Sequence, residues 1–328
     1  MNSKTSIPSL SRDVVESSDR LADALAAVAV RLIDHTWSEG FASLVVDSGS
    51  DDQVGVTVEP RQRGIPHFST ADVVDGIRRK EFELFIQPQV VLGTGEVRGG
   101  EALLRWRHPQ YGVLGPSAFL AAVEKSGVAA EFGTWILGEA CRIAATANSM
   151  GGRIRIGANL FSEQLYDTKL YSQVLNALDA SGLAPELLEL EITETTALHF
   201  DGMVISQLKR IRSLGVGIAF DDYGTGFASL SMLKRYPLSR LKIDREFIQN
   251  IHRDVSDVAI VQAVLCLARK LDFEVIAEGM ETRQQVDALI RLGCVHGQGY
   301  FFGMPMPASQ FEALAQAQTR SITEDATA

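Results

Sequence analysis

Between residue 69 and the C-terminus, short apolar runs alternate with stretches whose apolar positions recur every three or four residues. The first pattern predicts strands and the second helices. Strands are expected over 82–91, 97–106, 154–160, 187–192, 216–222, 240–244, 273–278 and 298–302. Helices are expected over 116–125, 132–150, 171–181, 203–214, 258–271, 283–292 and 309–318, with a short one beginning at Ala228. Gly182, Gly215 and Gly293 close three of these helices, where the left-handed cap favours glycine. The first two strands are separated by a stretch around Gly93-Thr94-Gly95 that is too short for a helical crossover, so that pair is an antiparallel hairpin. The repeated βα units define an α/β fold, a TIM-like (β/α)8 barrel with an antiparallel first strand. A doubly wound sheet is the runner-up, but no GxGxxG follows the first strand and no GxxxxGK[ST] occurs.

Residues 1–68 have a different pattern and read as an N-terminal extension of uncertain role. A polar, Ser-rich stretch over 3–18 leads into Leu21, Leu25, Val28 and Leu32, spaced as one face of a helix. Two short strands are expected over 41–46 and 54–58, and a linker over 60–66. One helix and two strands make a thin core alone. The extension is expected to dock on the barrel or on a second subunit, or to be the remnant of a lost domain. Residues 69–318 form the barrel and 319–328 a tail.

Composition narrows the function classes. An apolar fraction of 46% and a charged fraction of 22% are those of a soluble globular protein. A formal charge of −10 argues against a nonspecific duplex nucleic-acid binder. It leaves room for a small nucleotide, because a bound cation supplies positive charge locally. Cys141, Cys266 and Cys294 form neither a disulfide framework nor a zinc motif. No apolar signal segment follows Met1, and the apolar stretch 24–30 is too short to span a bilayer. The expectation is a cytoplasmic chain with no membrane segment. The six histidines are scattered without HxH or HxxxH spacing and read as surface or packing residues, while Phe301, Phe302 and Trp135 read as core.

The chemistry gathers where the strands end. In a barrel, the carboxyl ends of several strands feed one site. Here those ends carry Glu101, Asn159, Glu191, Asp221 with Asp222, Asp244 and Glu278, and Gln298 stands before the last strand. Lys242 shares a strand face with Asp244, and Arg105 with Glu101. A single acid in such a place is more often a cap or half of an ion pair, and Glu189, on the face of Glu191, is a candidate for a buried pair with an arginine. Seven or so together are hard to assign to stability alone. The set is oxygen-rich and lacks thiols and imidazoles, which suits Mg²⁺ or Mn²⁺. More carboxylates than one ion needs suggest two ions. Residue chemistry leads to metal-dependent phosphoryl or carbonyl chemistry and no further.

The motifs Gln87-Pro88, Glu101-Ala102-Leu103-Leu104-Arg105-Trp106, Asn159-Leu160, Glu189-Leu190-Glu191, Asp221-Asp222-Tyr223-Gly224-Thr225-Gly226, Leu241-Lys242-Ile243-Asp244, Ala277-Glu278-Gly279-Met280-Glu281 and Gly297-Gln298-Gly299-Tyr300 occur in this order. Together they resemble EAL domains, the cyclic di-GMP phosphodiesterases, over about residues 70–318. The resemblance implies hydrolysis of cyclic di-GMP to linear pGpG with two Mg²⁺ or Mn²⁺ ions. It implies that Glu101, Asn159, Glu191, Asp221 and Asp222 hold metal, that Lys242 orients the attacking water, and that Glu278 is a ligand or general base. It implies nucleotide contacts from Gln87, Leu104, Arg105, Asp244, Glu281, Gln298 and Tyr300. Glu194 would anchor the loop over 223–229, which in the family couples a homodimer to metal binding.

Phe161 departs from the pattern, which usually has a small hydroxyl residue there. No GG[DE]EF signature occurs. Two further readings remain open at this point: a weak or inactive EAL domain that senses cyclic di-GMP or holds a protein partner, and an unrelated barrel lyase with one Mg²⁺.

Overall fold

The structure is a computed structural model that describes residues 42–48, 54–60, 67–193, 202–223 and 230–325. The chain divides into two compact units, Met1–Phe68 and Ser69–Ala328. In the first, β1 (Ala42–Ser48) and β2 (Val54–Pro60) form an antiparallel hairpin, with Ala42 opposite Pro60 and Ser48 opposite Val54. The helix expected from Leu21 to Leu32 and all but the first residue of the 60–66 linker lie outside the described residues.

The second unit is a closed eight-stranded barrel. Its strands are β3 (Phe82–Val91), β4 (Val97–His108), β6 (Arg155–Asn159), β7 (Leu188–Thr193), β8 (Gly217–Tyr223), β9 (Arg240–Ile243), β10 (Glu274–Ala277) and β11 (His296–Gln298). The seven from β4 onward are mutually parallel, and β3 closes the ring antiparallel to both β4 and β11. Two short strands are added at the rim: β5 (Gly112–Leu114) on β4 and β12 (Met306–Pro307) on β3.

The period-2 alternation of each strand sorts its side chains. Leu188, Leu190 and Ile192 of β7, Ile218 and Phe220 of β8, and Leu241 and Ile243 of β9 are fully buried in the layer between strands and helices. The intervening positions (Glu189, Glu191, Asp221, Arg240 and Lys242) point into the barrel and are buried as well. The barrel is therefore apolar outside and polar inside, and its inner charges must find partners across the lumen.

Three expectations need correction. The last barrel strand is His296–Gln298, and residues 299–302 form a turn, in which Phe302 N–H donates to the Gly299 carbonyl (3.0 Å). A Cβ at Gly299 would run into the Met280 backbone, so the chain passes there only as glycine. The helix expected over 309–318 spans Ala308–Asp325, so most of the expected tail is helical. Gln318 ties it to the barrel foot by bonding both the N–H (2.8 Å) and the carbonyl (2.9 Å) of Val97. Trp135 and Phe301 are both 39% exposed, not core. Trp135 stacks on Phe132 with its other face outward, and Phe301 meets Phe302 edge-on.

Candidate functional site

Six inward positions converge at one level of the lumen: Glu101 of β4, Asn159 of β6, Glu191 of β7, Asp221 of β8, Lys242 of β9 and Gln298 of β11. Glu278, one residue past β10, joins them. The Lys242 ammonium is 1% exposed and stands 2.5 Å from Glu191 Oε2, 2.9 Å from Glu278 Oε1, 3.0 Å from Asp221 Oδ1 and 3.3 Å from Glu101 Oε2. One cation thus serves four carboxylates in a dry space.

The acids do not respond alike. Burial drives Glu191 well above the usual carboxylate range against the pull of Lys242, with Glu101, Asp221 and Glu189 adding repulsion. Burial likewise raises Asp221, and raises Glu278 well above its usual value. Glu101 goes the other way: burial is outweighed by Lys242 and by amide donors from Gln298 and Asn159, so its carboxyl is held low. Lys242 itself is raised well above its ordinary value, because the acids outweigh the cost of burying it.

Room for this cluster is made by glycine. A Cβ on Gly157 would collide with Glu191 Oε1. That oxygen is buried and takes no hydrogen bond, an expensive state for a carboxylate that has a single bonded oxygen. Glu101, Glu191 and Asp221 can each offer an oxygen within 4.8 Å of the others, and so can Asp221, Asp222 and Glu278. The two triads share Asp221. An all-oxygen set with surplus negative charge and an orphaned buried oxygen fits a hard divalent cation.

Around this centre the remaining predicted residues fall in different places. Asp222 has φ +55, a left-handed conformation that costs a non-glycine residue about 1 kcal/mol. Its N–H donates to Asp221 Oδ1 (3.0 Å), and its carboxyl is pushed up to about 6 by burial, by Asp221 and by neighbouring Asp244. Asp244 Oδ1 accepts the Glu246 N–H (2.7 Å), opening the single helical turn Glu246–Gln249. Gln87 lies opposite Glu101 in the β3–β4 register and donates to the Gly303 carbonyl (3.2 Å). Arg105, two pleats above Glu101, packs 5.7 Å over the Phe85 ring and donates to the Leu104 carbonyl (2.8 Å). The Leu104 side chain is on the opposite face of β4 and buried, so it is directed away from the acids. Tyr300 and Glu281 are exposed near the rim, Tyr300 at 44%. Glu194 and residues 224–229 lie outside the described residues.

Below the acids, a second polar layer fills the barrel. Arg240 bonds Glu189 (2.9 Å) and Glu274 (2.6 Å), and Arg155 bonds Glu274 (2.8 Å), so Glu189 belongs to a structural ion-pair network. Gln89 sits between the layers. Neither Gln89 nor Arg240 stands out in the sequence; the available signal was that Gln89 shares a strand face with Gln87.

The class defined by this fold and centre is a (β/α)8 barrel with an acidic, cation-seeking site at the carboxyl ends of its parallel strands. The EAL domain model matches residues 70–305, and the chain belongs to that family. It is 42% identical over 243 residues to the bifunctional diguanylate cyclase/cyclic di-GMP phosphodiesterase MucR of Pseudomonas aeruginosa, covering 74% of this chain and 36% of MucR. It is 40% identical over 242 residues to the cyclic di-GMP phosphodiesterase NbdA of the same organism, covering 74% of this chain and 31% of NbdA. The chain thus spans about a third of the length of these curated relatives. A solved structure of the MucR phosphodiesterase in complex with c-di-GMP superposes with a TM-score of 0.70 at 42% identity, over 73% of this chain and 98% of that one. Among the described residues, no helix is long and apolar enough to cross a membrane.

Proposed function

We propose that residues 69–318 hydrolyse one phosphodiester of cyclic di-GMP, giving linear pGpG, with two Mg²⁺ or Mn²⁺ ions held by Glu101, Asn159, Glu191, Asp221 and Asp222. The observation that carries this reading is the pair of carboxylate triads sharing Asp221, one of them containing a buried, unbonded Glu191 oxygen. Bound there, such ions supply positive charge at the phosphate oxygens and a water acidic enough to attack at neutral pH.

The chain's own residues do the rest. Asn159 Nδ2 donates to Glu101 Oε1 (3.1 Å), which leaves its amide oxygen as the group to offer a cation. Lys242, fixed by four acids, holds a water in line with the phosphorus by donating a hydrogen bond. Glu278, ion-paired with Lys242 at 2.9 Å, serves as ligand or as the base that takes the proton. Arg105 at the rim pairs with phosphate oxygens, and Gln87, Asp244, Glu281, Gln298 and Tyr300 contact the nucleotide, with Tyr300 offering an exposed ring to a guanine face. The protein works as a cytoplasmic homodimer, with Glu194 anchoring the loop over 223–229, and residues 1–68 are an accessory extension.

Purified protein incubated with cyclic di-GMP and Mg²⁺ or Mn²⁺ should accumulate pGpG, and Glu101→Ala should abolish it while the fold is kept. Absence of product with both ions, together with tight metal-independent binding of the nucleotide, would replace the hydrolase reading with a receptor.

A further inference from the structure

A continuous line of side-chain hydrogen bonds joins the barrel's foot to its acidic centre. Arg240 Nη1 donates to Gln89 Oε1 (3.2 Å), Gln89 Nε2 donates to Gln298 Oε1 (3.0 Å), and Gln298 Nε2 donates to Glu101 Oε2. Both glutamines are 4% exposed, and they stand directly opposite each other where β3 meets β11. Gly99 makes the space: a Cβ there would press on Gln89 Oε1 at 3.0 Å and on the Arg155 carbonyl at 2.8 Å.

The direction of this line is set at its lower end. A guanidinium has only donors, so Gln89 must turn its oxygen to Arg240 and its NH₂ to Gln298. Gln298 must then turn its oxygen to Gln89 and its NH₂ upward. Reversing either amide would put donor against donor or acceptor against acceptor in a buried space. Arg240 cannot swing away, because Glu189 and Glu274 hold it on two sides.

We propose that Gln89, backed by Arg240, is a positioning residue that acts through Gln298 to aim the Glu101 carboxylate and so sets the affinity of the centre for its divalent ion. This rests on reading Glu101 as an ion ligand. Groups that orient a ligand from behind typically change metal affinity by about 10–100-fold when removed. Gln89 bonds Arg240 on one side and Gln298 on the other, and Gln298 is the partner that reaches Glu101.

Calorimetric titration of the full chain with Mn²⁺, without nucleotide, tests it. Gln89→Leu should weaken Mn²⁺ binding about tenfold. Gln89→Glu keeps the Arg240 pairing but demands a donor from Gln298, turning the Gln298 oxygen toward Glu101, and should weaken binding at least as much. Gln298→Leu should also weaken it, and the double variant Gln89→Leu/Gln298→Leu should bind no more weakly than Gln298→Leu alone, since the two act in series. Either single Gln89 variant binding within about twofold of the parent, or losses that multiply in the double variant, would overturn the proposal. Should Gln89→Leu fail to fold, the Gln89→Glu titration decides alone. A parent protein that takes up no Mn²⁺ would instead overturn the reading of Glu101 on which the proposal rests.

Discussion

Gly157 and Glu191 face each other inside the barrel so closely that the carboxylate occupies the space a Cβ on Gly157 would need. Gly157 also lies beside Glu101 in the β4–β6 register, so it sits between two of the acids of the centre. Gly157→Ala must displace Glu191, because β6 is fixed by neighbours on both sides. Overpacking of this kind costs about 1–3 kcal/mol. The expected outcome is a folded protein with a lower melting temperature and a loss of pGpG formation of at least about a hundredfold. A variant that melts lower yet turns over normally would mean that the position of Glu191 does not matter to the chemistry.

Lys242→Met removes the cation that four acids share while keeping a similar volume. The metal-free variant should lose about 3 kcal/mol at neutral pH. Its stability should rise as the solution is acidified. The sign follows from the raised folded-state values of Glu191, Asp221 and Glu278: the folded form binds protons that the unfolded form releases, so these groups favour folding as pH falls. Removing the ammonium raises them further. Melting curves in chelator at pH 5.5 and 7.5 check this, with Mn²⁺ expected to restore more stability to the variant than to the parent.

At the barrel's foot the sign is opposite. Burial would raise Glu274, but Arg240 and Arg155 outweigh it and hold the carboxyl at about 2, against a usual 4.5. Such a group stabilises the fold at pH values above 4.5, and that contribution is lost as pH falls toward 2. Its side chain is 46% exposed, so solvent screening limits the effect at neutral pH to about 1 kcal/mol. Glu274→Gln should therefore be less stable than the parent at pH 7. The gap in urea midpoints should narrow below pH 4.5 and close near pH 2. A gap that is constant across that range would show that the ion pair is not its cause.

Strand periodicity made much of this architecture legible. Leu188-Glu189-Leu190-Glu191-Ile192 alternates so strictly that a buried apolar face and an inward acid row follow from the residues alone. The hairpin of β3 and β4 followed from the brevity of its connection. Tyr300-Phe301-Phe302 misled, because an apolar run reads as strand, while the contact of Gly299 with the Met280 backbone that bends it into a turn is not local. The same limit hid the pairing of Gln89 with Arg240, which are 151 residues apart and meet only when β3 closes the ring. Leu104 and Arg105 show the pleat acting on a motif: adjacent in sequence, they point to opposite sides of β4.

Phe161 stands where the resemblance leads us to expect a small hydroxyl residue, and its surroundings indicate what the ring does. It is 9% exposed, in extended backbone just past β6. Its N–H donates to Gln164 Oε1 (3.0 Å), and the Gln164 amide fills a space that exists because residue 133 is glycine. The ring is packed as a core side chain, and Asn159, two residues earlier, keeps its bond to Glu101 at 3.1 Å. The aromatic ring therefore contributes to packing rather than to the aim of Asn159. Phe161→Ser should cost about 3 kcal/mol in chemical denaturation, in line with large-to-small changes in a core. Turnover per folded molecule should stay within about threefold of the parent. A rise of about tenfold or more in turnover at unchanged KM would instead show that the ring holds Asn159 off its best position and that the substitution tunes the enzyme down.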